Sequence, residues 1–321
     1  AAQRAPLNGV SDVHWLAPSF GLPIRYAATG PTLLDVSAQV PQTPATTVKL
    51  LTATAIVSTL DPGTTFSTRA ARGASSHDVI LVAGGDTLLS PGKGNPSAVA
   101  GRAGLADLAD QTARALRADG VTSIRLHIDE RYAPGPWYAP GWLAVDVSAG
   151  LTGPVAMLGL STERPVPDGV AFSDPAASTA KAFRTLLAGH GLTVAPAIDH
   201  MAVRVGAPDL GVVRSAPLTD LVALALRDSD NALTESLARQ TAFKSGKPTS
   251  FADVAAWAKK TVTAPGARTP AAPMAHPTCP PAAPPVTPPA LASPLPPAPA
   301  GQVPPPCPAM PPLPLASLPR P

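Results

Sequence analysis

The chain changes character just past Lys260. Of its 43 prolines, 23 fall between Pro265 and Pro321, a stretch whose only charged side chains are Arg268 and Arg320. Proline has no backbone N–H to donate to a helix or a sheet ladder. Residues 264–321 are therefore expected to form a disordered tail that supplies no sheet strand, and the folded part to end near Lys260. The chain ahead of it can bury a sizeable core, since 45% of all residues are apolar.

Composition removes several classes of function. A formal charge of +3 with scattered basic residues and only 4% aromatics offers no basic stripe and no stacking platform, so no nucleic-acid partner is expected. The longest apolar stretches, such as Leu50 to Leu60, are interrupted by Thr and Ser and fall short of the roughly 20 residues that a membrane span needs, so no transmembrane segment is expected. The first residues, from Ala1, lack a basic segment followed by an apolar run, so no export signal is expected in this stretch. Cys279 and Cys307 both lie in the tail, and a cysteine-free globular part suits an oxidising compartment. The six histidines are spread without ligand spacing, so no metal is expected. Nor is a cofactor: Gly84-Gly85-Asp86 lacks the Lys-Ser/Thr that a phosphate loop requires.

Periodicity and punctuation outline the elements. Thr43-Pro44 reads as an N-cap followed by proline at the first helical position, opening a helix to about Thr59. Its apolar residues lie all round, as in a helix enclosed by the core. Asp78 to Ala83 reads as a buried strand stopped at Gly84-Gly85. Leu105, Leu108, Thr112 and Leu116 mark one helix face, and Ile124, Leu126 and Ile128 alternate with Arg125, His127 and Asp129 as a half-exposed strand. Further short strands are expected between Leu151 and Gly211 around a helix from Pro175 to Ala188, capped by Asp174. Helices are expected over Leu218 to Leu226, Ala232 to Thr241 and Phe251 to Lys260.

Two short motifs can carry chemistry. In Thr46-Thr47-Val48-Lys49, helical spacing of i and i+3 brings the Thr46 hydroxyl and the Lys49 amine together. A desolvated lysine can act as base to a hydroxyl nucleophile, and the first turn of a helix favours developing negative charge. A solvated lysine fits the same four residues. In Ser229-Asp230-Asn231, Ser229 can shuttle a proton to a leaving amine, and Asn231 can hold the lysine and a substrate amide. An ordinary helix N-cap fits equally well. Asp129 either touches a substrate amino group or simply opens a turn.

Taken in order, the two motifs correspond to the first two of the three that mark penicillin-binding proteins and class A β-lactamases. With PATTVKLLTA at Pro44 to Ala53, LVAGGD at Leu81 to Asp86, YAPGW at Tyr138 to Trp142 and LRDSDNALTESLAR at Leu226 to Arg239, residues 29–260 resemble the D-alanyl-D-alanine carboxypeptidase/endopeptidase family of low-molecular-mass penicillin-binding proteins. The resemblance implies an α/β (α+β) transpeptidase fold of the penicillin-binding protein and β-lactamase kind, with a five-stranded antiparallel sheet flanked by helices. Residues 29–60 and 217–263 would belong to it, 61–216 would be an inserted, largely β region, and 1–28 match poorly. It also implies serine-type acyl transfer on peptidoglycan stem peptides ending in D-Ala-D-Ala, β-lactams as inhibitors, and a secreted, periplasmic or cell-envelope location. By position, Thr46 is the nucleophile, Lys49 the general base, and Ser229 and Asn231 the second motif.

Three departures from the family pattern are expected to weaken or abolish activity. Thr46 stands where the family has serine, and its β-branch restricts χ1. The third motif, Lys-Thr-Gly, has Lys260-Thr261-Val262 as its nearest match, without the glycine and too close to Asn231 for the intervening elements. The tail has two readings, a polyproline linker or stalk and a slipped reading frame in a GC-rich gene, of which the slip is favoured. A fold left incomplete in this way exposes a sheet edge and is expected to be marginally stable. The competing functional reading is a non-catalytic peptidoglycan-binding envelope protein with a proline-rich spacer.

Overall fold

The computed structural model describes residues 22–25, 32–36, 40, 46–166 and 173–264. The expectations for the tail from Pro265, for residues 1–21 and for Thr43-Pro44 lie outside the described residues. Strands Leu22–Arg25 (β1) and Thr32–Val36 (β2) pair antiparallel. They are followed by helix Val48–Thr59 (α1), strands Ser67–Arg72 (β3) and Asp78–Val82 (β4), helix Leu105–Ala118 (α2) and strand Ser123–Asp129 (β5). A short helix, Ala144–Ser148 (α3), leads to helix Pro175–Gly189 (α4) and strands Thr193–His200 (β6) and Asp209–Arg214 (β7). Helices Leu218–Arg227 (α5), Asn231–Lys244 (α6) and Phe251–Thr263 (α7) follow.

Strands β3 to β7 form one sheet in the order β6-β5-β4-β3-β7. The pairs β4–β5 and β5–β6 are parallel, whereas β3 pairs antiparallel with both β4 and β7. Parallel neighbours require a crossover of about a dozen residues or more, and α2 and α4 are those crossovers. Right-handed crossovers made in the same direction along a sheet put both helices on one face. There α2 and α4 pack on each other and share a core with Val79, Leu81, Leu126 and Ile128. Two expectations are thereby corrected. Residues 61–216 are α/β in character, not largely β, because two of their strand pairings are parallel. Among the described residues, the five-stranded sheet lies within that stretch and is mixed, whereas residues 29–60 and 217–263, for which an antiparallel sheet was expected, contribute strand β2 and helices.

Helix α2 owes its place to the stripe Leu105, Leu108, Thr112 and Leu116, all fully buried, and ends ahead of Gly120 at φ +71°. The Asp174 carboxylate caps α4 by accepting from the Ala177 amide at 2.8 Å. The helix runs one residue past its expected end, and the left-handed glycine that follows is Gly191, not Gly189. On β5, His127 and Asp129 are buried rather than exposed: the Asp129 carboxylate and His127 Nε2 find partners there, while His127 Nδ1 is buried without one. Asp78 Oδ1 on the neighbouring strand lies 3.3 Å from His127 Nε2. Asp129 accepts from the Arg131 and Val203 amides at 3.0 and 2.8 Å, which makes it a turn-forming residue.

A second core joins α1, α5, α6 and α7 through Ala53, Ile56, Leu218, Leu221, Leu224, Leu237 and Val254. The expectation that α1 is enclosed on all sides is not met. The helix buries Lys49, Ala53, Ala55 and Ile56, while Val48, Leu50 and Leu51 are 45%, 57% and 55% exposed. Apolar residues all round give α1 no single preferred face, and the three helices packed on it cover one side.

Candidate active site

The site forms where the start of α1 meets the connection between α5 and α6. Thr46 lies one residue ahead of Thr47, the N-cap of α1, rather than inside the first turn. Two tight i→i+3 turns open the helix: the Lys49 amide donates to Thr46 O and the Leu50 amide to Thr47 O, both at 3.0 Å. These turns keep Lys49 over Thr46, and Lys49 Nζ donates to Thr46 Oγ1 at 2.6 Å. Ser229 Oγ, 183 positions further along, lies 2.6 Å from Thr46 Oγ1 and 3.4 Å from Lys49 Nζ. The structure therefore brings three of the four sequence-predicted residues into mutual hydrogen-bonding reach.

The backbone explains how Ser229 gets there. Helix α5 ends in a Schellman arrangement: the Asp230 amide donates to Ala225 O at 2.9 Å and the Ser229 amide to Leu226 O at 3.3 Å. The residue at the centre of that arrangement adopts positive φ and is usually glycine. Here it is Ser229, at φ +53°. Asp230 immediately starts the next helix, its Oδ1 accepting from the Leu233 amide at 2.8 Å. The N-cap and the proton-shuttle readings of this tripeptide therefore apply to different residues, Asp230 as the cap and Ser229 facing Thr46.

Asn231 is turned elsewhere. The bond formed by its side-chain amide runs from Nδ2 to Leu151 O at 2.7 Å, in place of the expected contact with Lys49. It ties the segment after α3 to the start of α6. Lys260-Thr261 lies within α7, not on a strand, so it takes no part in this cluster.

Lys49 is buried although it is charged in its ordinary state. Desolvation holds its pKa below the usual lysine value, against the opposing pull of the Asp230 and Glu235 carboxylates. Burial in turn raises the Glu235 pKa, against the influence of Arg239 and Lys49. Glu235 was not among the residues read from the sequence as functional. The signal for it was the spacing Asn231, Glu235, Arg239, which puts all three on one face of α6.

A hydroxyl held against a desolvated amine, with a second hydroxyl touching both, can generate a nucleophile and move its proton without a metal ligand set. That chemistry defines a class, the acyl-transferring hydrolases that work through a hydroxyl–lysine pair. Within it, the chain belongs to the D-Ala-D-Ala carboxypeptidase 3 (S13) family, whose model matches residues 14–165 and 159–275. It is 33% identical over 236 residues to the carboxypeptidase DacB of Mycolicibacterium smegmatis and 33% identical over 238 residues to a carboxypeptidase of Mycobacterium tuberculosis. Each match covers 71% of this chain and 49% of the relative, so the chain spans about half the length of the curated relatives it matches. Penicillin binding protein 4 (dacB) of Haemophilus influenzae shares the fold, with a TM-score of 0.58 at 17% identity over 75% of this chain and 66% of that one.

Proposed function

We propose that this chain carries the acylation site of a D-alanyl-D-alanine peptidase acting on peptidoglycan stem peptides. The observation that carries this reading is the 2.6 Å contact from Lys49 Nζ to Thr46 Oγ1, closed by Ser229. In the reaction, the Thr46 hydroxyl attacks the carbonyl carbon between two D-alanines. Lys49, in its unprotonated form, accepts the hydroxyl proton and returns it through Ser229 to the departing D-alanine nitrogen. Water then attacks the ester on Thr46, with Lys49 again as base, and releases the shortened peptide. Asn231 fixes the segment at Leu151 against the start of α6. A β-lactam would acylate the same oxygen, because its strained amide presents a similar carbonyl. A peptidoglycan substrate implies work outside the cytoplasmic membrane, and no helix among the described residues is long and apolar enough to cross a membrane.

One observation favours a second reading, a protein that binds peptidoglycan without cleaving it. Threonine brings a methyl group to the point where the carbonyl must approach, and a misplacement of about 1 Å can cost on the order of a hundredfold in rate. Release of D-alanine from a peptide ending in D-Ala-D-Ala separates the two readings. The peptidase reading expects release by the purified chain and loss of it in Lys49→Ala. Folded protein that retains peptidoglycan and releases nothing above the blank would establish the binding reading instead.

A further inference from the structure

Ser229 is held from both sides. The residue before it, Asp228, is the C-cap of α5, and the residue after it, Asp230, is the N-cap of α6. Between them, Ser229 occupies the left-handed region, which a side chain disfavours and which persists only where the surroundings impose it.

One distant side chain reaches both flanking residues. Arg164 donates to Asp230 Oδ2 from Nε at 3.0 Å and from Nη2 at 2.9 Å, and to Asp228 Oδ2 from Nη2 at 3.2 Å. The Asp230 carboxylate is thereby engaged at both ends, since its Oδ1 caps α6. Arg164 is itself anchored to the loop that follows β4. It follows a 3-10 turn, Ser161–Glu163, whose Ser161 amide donates to Leu89 O at 2.8 Å, and Leu160 forms a parallel bridge with Leu89. The Arg164 and Asp230 side chains are 18% and 4% exposed, so water screens the pair little.

We infer that Arg164 is a positioning residue for acyl transfer, clipping Asp228 and Asp230 together across Ser229 and so setting the Ser229 hydroxyl against Thr46 and Lys49. The inference rests on the acyl-transfer reading of those three residues. The planar guanidinium fork suits the task because it engages two carboxylates at once, which the single ammonium of a lysine does not reproduce. An electrostatic consequence follows from the same geometry. The charged groups acting on Lys49 are Asp230 and Glu235, with Arg164 paired to the first and Arg239 acting on the second. Without Arg164 the Asp230 charge is uncompensated and favours protonated Lys49, leaving less of the base available at a given pH.

The test compares the full chain with its Arg164→Ala and Arg164→Lys variants. Backbone hydrogen exchange over residues 228–233 should quicken by about tenfold or more in both. The pH midpoint for acetylation of Lys49 by acetic anhydride, read by peptide mass spectrometry, should move upward in Arg164→Ala and return toward wild type in Arg164→Lys, which keeps the charge. The acylation rate constant with a penicillin should fall about tenfold or more in both variants, with a smaller change in the concentration giving half-maximal rate. Unchanged exchange and an unchanged Lys49 midpoint in Arg164→Ala would overturn the inference whatever the activity. Wild-type protein inert to both penicillin and substrate would overturn the proposed function, while exchange and labelling would still decide the clip. Should Arg164→Ala not fold, the exchange and rate measurements on Arg164→Lys decide it.

Discussion

Asp86 follows Gly84-Gly85 in the loop after β4 and is 3% exposed, with Oδ1 accepting from the Leu88 amide at 2.9 Å. Burial outweighs that bond and raises its pKa from 3.8 to about 7. In the unfolded chain the same group ionises near its ordinary value. Between those two pH values the folded state binds more protons than the unfolded state, so unfolding free energy falls as pH rises. The stabilisation from this group is fully present below about pH 4 and gone above about pH 7. A gap of about 3 pKa units corresponds to on the order of 4 kcal/mol. Asparagine reproduces the neutral acid, with an oxygen for the Leu88 amide and a donor in place of the hydroxyl. Asp86→Asn should therefore leave stability nearly unchanged at about pH 4 and raise it by up to about 4 kcal/mol at about pH 8. Urea unfolding of both proteins in parallel across that range is the assay. The difference between them cancels contributions from Glu130 and Glu235, whose pKa values burial raises. It also cancels those of Asp78 and Asp129, whose values fall because hydrogen bonds and arginine partners outweigh burial. A variant that loses stability at about pH 8, or keeps the wild-type slope, would refute the reasoning.

Three further outcomes follow. Thr46→Ser removes the methyl without moving the hydroxyl from Lys49, and the rate of β-lactam acylation should rise, by up to about a hundredfold; a fall in that rate would mean the methyl is part of the working geometry. A Cβ at Gly84 would lie 1.8 Å from Ser67 O and 2.9 Å from Ser67 C, both backbone atoms of β3. Gly84→Ala should thus cost about 1–3 kcal/mol or more, and a thermal midpoint equal to wild type would contradict that. Leu51→Lys, on the exposed side of α1, should change stability by no more than about 0.5 kcal/mol while lowering aggregation measured by light scattering. A large loss of stability would show that this side of the helix is covered.

Much of the architecture was legible because it rests on local pattern. Leu105, Leu108, Thr112 and Leu116 announce α2, the Asp174-Pro175 pair announces α4, and the continuous apolar run announces β4. Strand β3 was not legible: Ser67–Arg72 (STRAAR) carries little β-propensity, and is held as a strand by partners on both edges, β4 and β7. The exposure of Val48, Leu50 and Leu51 was equally hidden, since a helix apolar all round carries no signal of which side its neighbours cover. At the site, the contact of Thr46 with Lys49 was legible from i and i+3 spacing. Two features there were not. Ser229 stands where a Schellman arrangement ordinarily has glycine, so the turn has no sequence marker. Arg164 meets Asp230 across 66 positions, a pairing set by tertiary packing alone.

The most direct test of the Thr46, Lys49 and Ser229 centre is intact-mass spectrometry of the folded chain after incubation with a penicillin. A working centre yields a gain of one drug molecule on the wild type and none on Thr46→Ala. No adduct on wild-type protein that circular dichroism shows to be folded, or an undiminished adduct on Thr46→Ala, would contradict the assignment of Thr46 as the acylated residue.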